Sequence, residues 1–201
     1  MPPAAMPAEL ALDSKAIRCF VAIALPQSLK LEMRPKLAGL RQGYPQLAWV
    51  PAENLHVTVE FLGDRRPEQT AAIARLLADF NVGRLGVTLE QVSCLPRGGR
   101  PRVLVWDATP ADRLVALRAR LVEALGPSLG PGAGSGTYRP HSTLARASAQ
   151  ATSELFQLAS TEASRVAGTA HFEVSRLTLF ESLARPGRPP AYRPIEASPE
   201  A

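Results

Sequence analysis

Apolar positions along this chain follow two rhythms. Short, nearly unbroken apolar or alternating runs predict strands at Ile17–Leu25, Leu55–Leu62, Leu85–Leu95, Arg102–Ala108, His141–Ala145 and Phe172–Phe180. Between them the apolar residues recur at helical spacing. Gln27–Leu40 carries Leu29, Met33, Leu37 and Leu40, and Asp112–Leu125 carries Leu114, Leu117, Leu121 and Leu125. Pro67 opens a helix to Phe80 with Ile73, Leu76, Leu77 and Phe80. A fourth helix is predicted over Ala149–Ala159, with Leu155, Phe156 and Leu158 as its apolar residues.

The order of these elements repeats. Strand, helix, strand, helix, strand is used twice, and the spacing agrees: Ile17 to His56 and Arg102 to His141 are each 39 positions. The connection Pro96–Pro101 between the repeats is too short to separate two cores, so a single domain over residues 16–195 is expected. Residues 126–136 form a glycine-rich loop before the second histidine strand. Both ends, residues 1–15 and about 184–201, are rich in Ala, Pro and polar residues. Their composition predicts poor order.

Within the repeat, the third element carries the chemistry. It reads His56-Val57-Thr58-Val59 in the first copy and His141-Ser142-Thr143-Leu144 in the second, and the only other histidine is His171. Two residues apart on a strand, a histidine and a threonine point the same way. Each copy therefore offers an imidazole beside a hydroxyl. Two His-x-Thr among three histidines has a chance probability on the order of one per cent. Imidazole titrates close to neutral pH, so one ring can give a proton while the other takes one. His171 lacks the threonine, with Glu173 in its place, and reads as structural or exposed. A zinc site built from the three histidines lacks the close spacing or helical His-Glu pairing that such sites use. The chain also has no Gly-x-x-x-x-Gly-Lys phosphate loop.

Composition narrows the setting. With 201 residues, 46% of them hydrophobic, the chain can bury one substantial core, yet no apolar run approaches the roughly 20 residues that span a bilayer. The opening residues lack the charged and apolar regions of a secretory signal, and a cytoplasmic location with no membrane contact is expected. Cys19 and Cys94 both fall in predicted strands and read as buried, reduced thiols. The net charge of +5 is carried mostly by arginine, with Lys15, Lys30 and Lys36 the only lysines. Arginine suits phosphate, although a basic solvated surface explains the same balance.

These motifs and their flanks resemble the two-histidine phosphoesterases. Among those, the chain is similar to the RNA 2′,3′-cyclic phosphodiesterases, the LigT/ThpR family once named 2′-5′ RNA ligases. The resemblance runs from about Ile17 to Ile195. It rests on Phe20-Val21-Ala22-Ile23, on the stretch Trp49 to Gly63, on Arg100-Pro101-Arg102 and on Tyr138 to Arg146. Leu179-Phe180-Glu181-Ser182 and Tyr192-Arg193-Pro194 extend it. The resemblance implies an α+β fold of two pseudo-symmetric lobes, each an antiparallel sheet backed by helices, with the cleft between them. The terminal segments would meet in one lobe, leaving residues 196–201 as a tail. It further implies hydrolysis of a terminal ribose 2′,3′-cyclic phosphate to a 2′-phosphomonoester by a monomer without cofactor or metal. His56 would be the proton donor and His141 the acceptor. Thr58, Thr143 and Arg146 would hold the phosphate, although strict alternation puts Arg146 on the wrong face of its strand and requires a bend near Ala145. Phe61, Tyr138 and Tyr192 are candidates for stacking on a base, with the parity of Phe61 favouring the core. Substrates would be RNA with a cyclic phosphate end or a small cyclic nucleotide. The reverse 2′-5′ ligation and a noncatalytic RNA-end binding module remain the alternatives.

Overall fold

The computed structural model describes residues 16–126, 134, 136–185 and 188–196. The tails 1–15 and 197–201, and most of the glycine-rich loop, lie outside the described residues. The order is β1 (Ile17–Ala24), α1 (Gln27–Gly43), β2 (Leu47–Trp49), a single 3-10 turn (Ala52–Asn54), β3 (His56–Arg65), α2 (Pro67–Asp79) and β4 (Leu85–Leu95). The second half runs β5 (Val103–Thr109), α3 (Ala111–Leu125), β6 (His141–Ala147), α4 (Ser153–Ala167), β7 (Ala170–Val174), β8 (Thr178–Arg185) and β9 (Arg188–Ile195). The fold is α+β.

All the strands pair antiparallel in the order β7-β4-β5-β6-β3-β1-β8-β9, with β2 attached to β6. The symmetry axis falls between β3 and β6, whose one paired position is Val57 with Ser142. On one side lie β3, β1, β8 and β9, and on the other β6, β5, β4 and β7. Each repeat thus lends its closing segment to the opposite lobe. The turn after Leu95 folds β4 back on β5, with Arg102 N–H donating to the Leu95 carbonyl at 2.7 Å, and this hairpin places a strand of the first repeat in the second lobe.

The helices form for the reasons their patterns give. Leu29, Met33, Leu37 and Leu40 of α1 and Leu114, Leu117, Leu121 and Leu125 of α3 are all buried. They pack with alternate strand residues such as Val21, Ile23, Val57, Val59 and Trp106 into one core. The opposite face of β1 carries a small separate cluster of Phe20, Ala22 and Phe180, with Tyr192 packed against it. The helices therefore cover one face of the sheet and leave the other open.

Three expectations need correcting. The fourth helix is Ser153–Ala167, not Ala149–Ala159: Thr152 caps it, its hydroxyl accepting from Leu155 N–H at 3.2 Å, and Gly168 at φ 68° ends it. Its buried face is Phe156, Ala159, Ala163 and Ala167, while Leu158 is exposed. The run Phe172–Phe180 is two strands at opposite reaches of the sheet, since β7 pairs with β4 and β8 with β1. Residues 188–195, read from composition as poorly ordered, form β9 against β8. Ladder pairing overrode a proline-rich composition there. Of the two cysteines, both free thiols, Cys19 is buried, its pKa raised to about 11 by burial, whereas Cys94 is half-buried. No helix among the described residues is long and apolar enough to cross a membrane.

Candidate active site

Both His-x-Thr strands open onto one cleft of about 570 Å³, which His56, Thr58, His141, Thr143 and Arg146 all line. The two rings are anchored by the same device. Nδ1 of His56 lies 2.7 Å from the Asn54 carbonyl, and Nδ1 of His141 lies 2.7 Å from the Arg139 carbonyl. In each motif the carbonyl two residues upstream takes the Nδ1 proton, which fixes the tautomer and leaves Nε2 for the cleft. Nε2 of His56 is 3.0 Å from Thr58 Oγ1.

Arg146 reaches the cleft because its strand is bulged. Leu104 pairs with Ala145 but Val105 pairs with Thr143, so Leu144 is the extra residue and the side-chain parity flips beyond it. The first motif does the same: Val21 pairs with Glu60 and Ala22 with Thr58, leaving Val59 extra. Phe61 therefore occupies in the first motif the place of Arg146 in the second, five residues after the histidine. Strict alternation from His56 favours a core role for Phe61. Instead it is 66% exposed and lines the cleft.

Around His56 the cleft wall is aromatic. The Phe20 ring lies 4.9 Å from the imidazole, and Tyr192 meets it edge-on at 5.1 Å. Phe180 stacks on Phe20 at 5.5 Å. Tyr192 is thus placed against the His56 ring, while Tyr138 is committed elsewhere: its hydroxyl donates to the Thr58 carbonyl at 2.9 Å and the Arg118 guanidinium covers its ring at 5.2 Å. Burial raises the Tyr138 pKa, so the hydroxyl keeps its proton.

Charged groups brace both motifs. Beside His141, Arg139 donates to both carboxylate oxygens of Asp107 at 2.8 and 2.7 Å, and Ser93 Oγ donates to the same carboxylate at 2.9 Å. In the first motif Glu60 is buried, pairs with Arg118 at 2.6 Å and accepts from Gly134 N–H at 3.3 Å. Local pattern in the sequence assigns no site role to Glu60, Asp107, Phe20 or Phe180. A charged residue inside an apolar strand, as at Asp107, was the available signal.

Burial lowers the pKa of both imidazoles. His56 falls to about 4, with Lys30, His141 and Arg146 adding repulsion and only the Asn54 carbonyl opposing. His141 is lowered by burial as well, but the Arg139 carbonyl and the Asp107 carboxylate both support its protonated form, against the charges of Arg139 and Arg146. His171 lies on the exposed edge strand β7, with Nδ1 3.1 Å from Thr88 Oγ1 and Nε2 3.5 Å from Glu173. Among the described residues, no three His, Cys, Asp or Glu side chains gather in a group that could hold a metal ion.

A duplicated antiparallel sheet that brings one His-x-Thr strand from each half into a common cleft defines a two-histidine phosphoesterase. Residues 26–185 match the family described as the 2′-5′ RNA ligase superfamily, and the chain belongs to that family. The RNA 2′,3′-cyclic phosphodiesterases of Archaeoglobus fulgidus and Aeropyrum pernix are each 34% identical to it, over 90 and 118 residues. Those stretches cover 45% and 55% of this chain and 50% and 65% of the two relatives, so the match spans between half and two thirds of their length. TT0787 of Thermus thermophilus superposes with a TM-score of 0.64 at 26% identity, covering 90% of this chain and 96% of that one. E. coli LigT shares the fold, with a TM-score of 0.62 at 23% identity over 91% of this chain and 96% of its own.

Proposed function

We propose that this protein opens ribose 2′,3′-cyclic phosphates, at an RNA end or in a small cyclic nucleotide, to 2′-phosphomonoesters by general acid/base catalysis without a metal. The observation that carries this reading is the matched pair of imidazoles, each held through Nδ1 with Nε2 turned into one cleft beside a threonine and Arg146. Curated relatives named RNA 2′,3′-cyclic phosphodiesterase support the same activity.

In this reaction water attacks phosphorus and the 3′ oxygen leaves. Nε2 of His141 takes a proton from the water as the new P–O bond forms, and Nε2 of His56 gives a proton to the 3′ oxygen as the old one breaks. The charges around the two rings differ in the sense these directions require once an anionic substrate has protonated His56. Asp107 stabilises the imidazolium that forms on His141, whereas Lys30 makes a protonated His56 ready to lose its proton; Arg146 repels a proton on either ring. Arg146, Thr58 and Thr143 bind the non-bridging oxygens, where negative charge grows in the transition state. Ligation to a 2′-5′ linkage is the same displacement with a ribose 5′ hydroxyl in place of water, and its reversal, cleavage of that linkage, needs the same two groups.

Incubation of the purified protein with a defined oligonucleotide bearing a 2′,3′-cyclic phosphate, in excess EDTA, tests this reading. A 2′-monoester is the expected product. Formation of the 3′-monoester, or activity that requires added zinc or manganese, contradicts it.

A further inference from the structure

A large aromatic ring held in water at the lip of a site costs free energy unless something covers it. Phe61 is such a ring: it is 66% exposed, although both its neighbours Glu60 and Leu62 are buried. Its place in the repeat makes this more pointed. The equivalent residue of the second motif is Arg146, and β3 and β6 run antiparallel about their pairing at Val57 and Ser142. The duplicated frame thus puts a cation at one end of the cleft and a bare aromatic face at the other.

The aromatic end continues along β1. Ala22, Phe20 and Arg18 share the face turned away from the main core, opposite Thr58, Phe61 and Asp64 respectively. Phe20 lies 4.9 Å from His56 and 6.1 Å from Phe61. Arg18 is two residues further out, about 7 Å along the strand, and it is exposed and lines the same cleft. Arg118 and Arg139, which also line the cleft, are tied to Glu60 and Asp107. Arg18 is in no salt bridge among the described residues: Asp64 across the ladder is also exposed, and no ion pair joins the two. Ser182 of β8 adds a hydroxyl to the cleft wall.

An exposed ring with an uncommitted guanidinium one step beyond is the arrangement that holds single-stranded nucleic acid, a base stacking on the ring and a phosphate meeting the arginine. We infer that Phe61 and Arg18 form a subsite for the nucleotide preceding the cyclic phosphate, so that the enzyme selects oligonucleotide ends over cyclic mononucleotides. This rests on the cleft being the cyclic phosphodiesterase site proposed above.

The test compares kcat/KM for 2′,3′-cyclic AMP with that for a dinucleotide ending in the same cyclic adenosine, in the native protein and in Arg18→Ala and Phe61→Ala. The native protein favours the dinucleotide by roughly tenfold or more, the scale of one stacked base, and each substitution brings that ratio down towards one. Binding of the 2′-phosphorylated dinucleotide product, measured against salt, gives a readout independent of turnover. Arg18→Ala lowers the slope of log K on log salt by about 0.7, one phosphate contact on a single strand, and Phe61→Ala leaves the slope unchanged. A native ratio near one, or a preference that survives both substitutions, overturns the subsite while leaving the catalytic reading intact. Failure of the native protein to open either substrate overturns the catalytic reading and the subsite together.

Discussion

Burial sets the working state of the two imidazoles before any substrate arrives. With its pKa held near 4, His56 is neutral in the free protein at neutral pH, so the proposed donor role requires the ring to gain a proton as substrate binds. An anionic phosphate beside the ring favours the imidazolium and lifts that pKa on binding. The pH profile of kcat/KM reports the free protein and that of kcat the complex. Both profiles are expected to be bell-shaped, with the basic limb of kcat at higher pH than the basic limb of kcat/KM. Apparent values belong to the coupled pair. Coincident basic limbs would show that substrate does not reprotonate the site. The same shifts bear on stability. The folded state favours neutral rings while the unfolded chain takes up protons below about pH 6.5, so stability present above that pH is lost as pH falls towards 4. A urea titration at pH 7.5 and pH 5 checks this, and His56→Gln should flatten the difference.

Ser142 is a second case at this scale. It is wholly buried, and its hydroxyl finds no hydrogen-bond partner among the described residues. An unsatisfied buried hydroxyl costs about 1–3 kcal/mol. Ser142→Ala is therefore expected to raise stability by roughly 1 kcal/mol, read as a higher urea midpoint with an unchanged slope. A lower midpoint would mean the hydroxyl has a partner after all.

Between one secondary-structure element and the next, the two bulges decide what the cleft contains. The repeat, the threonines beside the histidines and the helical stripes of α1 and α3 were legible in the sequence, because each follows from periodicity within a single element. The positions of Arg146 and Phe61 were not. Alternation places both on the core face, and only the extra residues Val59 and Leu144 turn them to the cleft. The need for a bend before Arg146 follows from the phosphate role that the family resemblance implies for it, whereas Phe61, being apolar, gives no such warning. Glu60 was opaque for a related reason: its partner Arg118 comes from α3, far along the chain. Truncating one member of a buried ion pair costs roughly 3–5 kcal/mol, so Glu60→Ala is expected to lower stability by about that much, measured by urea unfolding. Tyr138→Phe removes only a hydroxyl bonded to the Thr58 carbonyl and should cost about 1 kcal/mol. Equal losses for the two variants would contradict the assignment of Glu60 as the principal brace.

At the level of the whole molecule, the swap of closing segments makes the lobes interdependent. The first lobe needs β8 and β9 from the end of the chain, which bring Phe180 and Tyr192 to His56. That arrangement could not be read from the local pattern Phe172–Phe180, because strand pairing partners are set by topology and not by composition. The second lobe supplies Asp107 and Arg139 beside His141, so the two imidazoles sit in unlike fields despite their like anchors. In the proposed mechanism this asymmetry assigns the two rings different tasks. His56→Ala and His141→Ala should each reduce turnover of an ordinary cyclic phosphate by roughly two to four orders of magnitude, with His171→Ala nearly silent.

The division of labour between the two rings is tested most directly by a substrate whose leaving group needs no proton, an aryl phosphodiester with a low leaving-group pKa. The quantity measured is the ratio of turnover on that substrate to turnover on the cyclic phosphate, for His56→Ala and for His141→Ala. The donor and acceptor roles described here predict a much larger rescue of His56→Ala. Equal rescue of both variants, or rescue of His141→Ala alone, would contradict them.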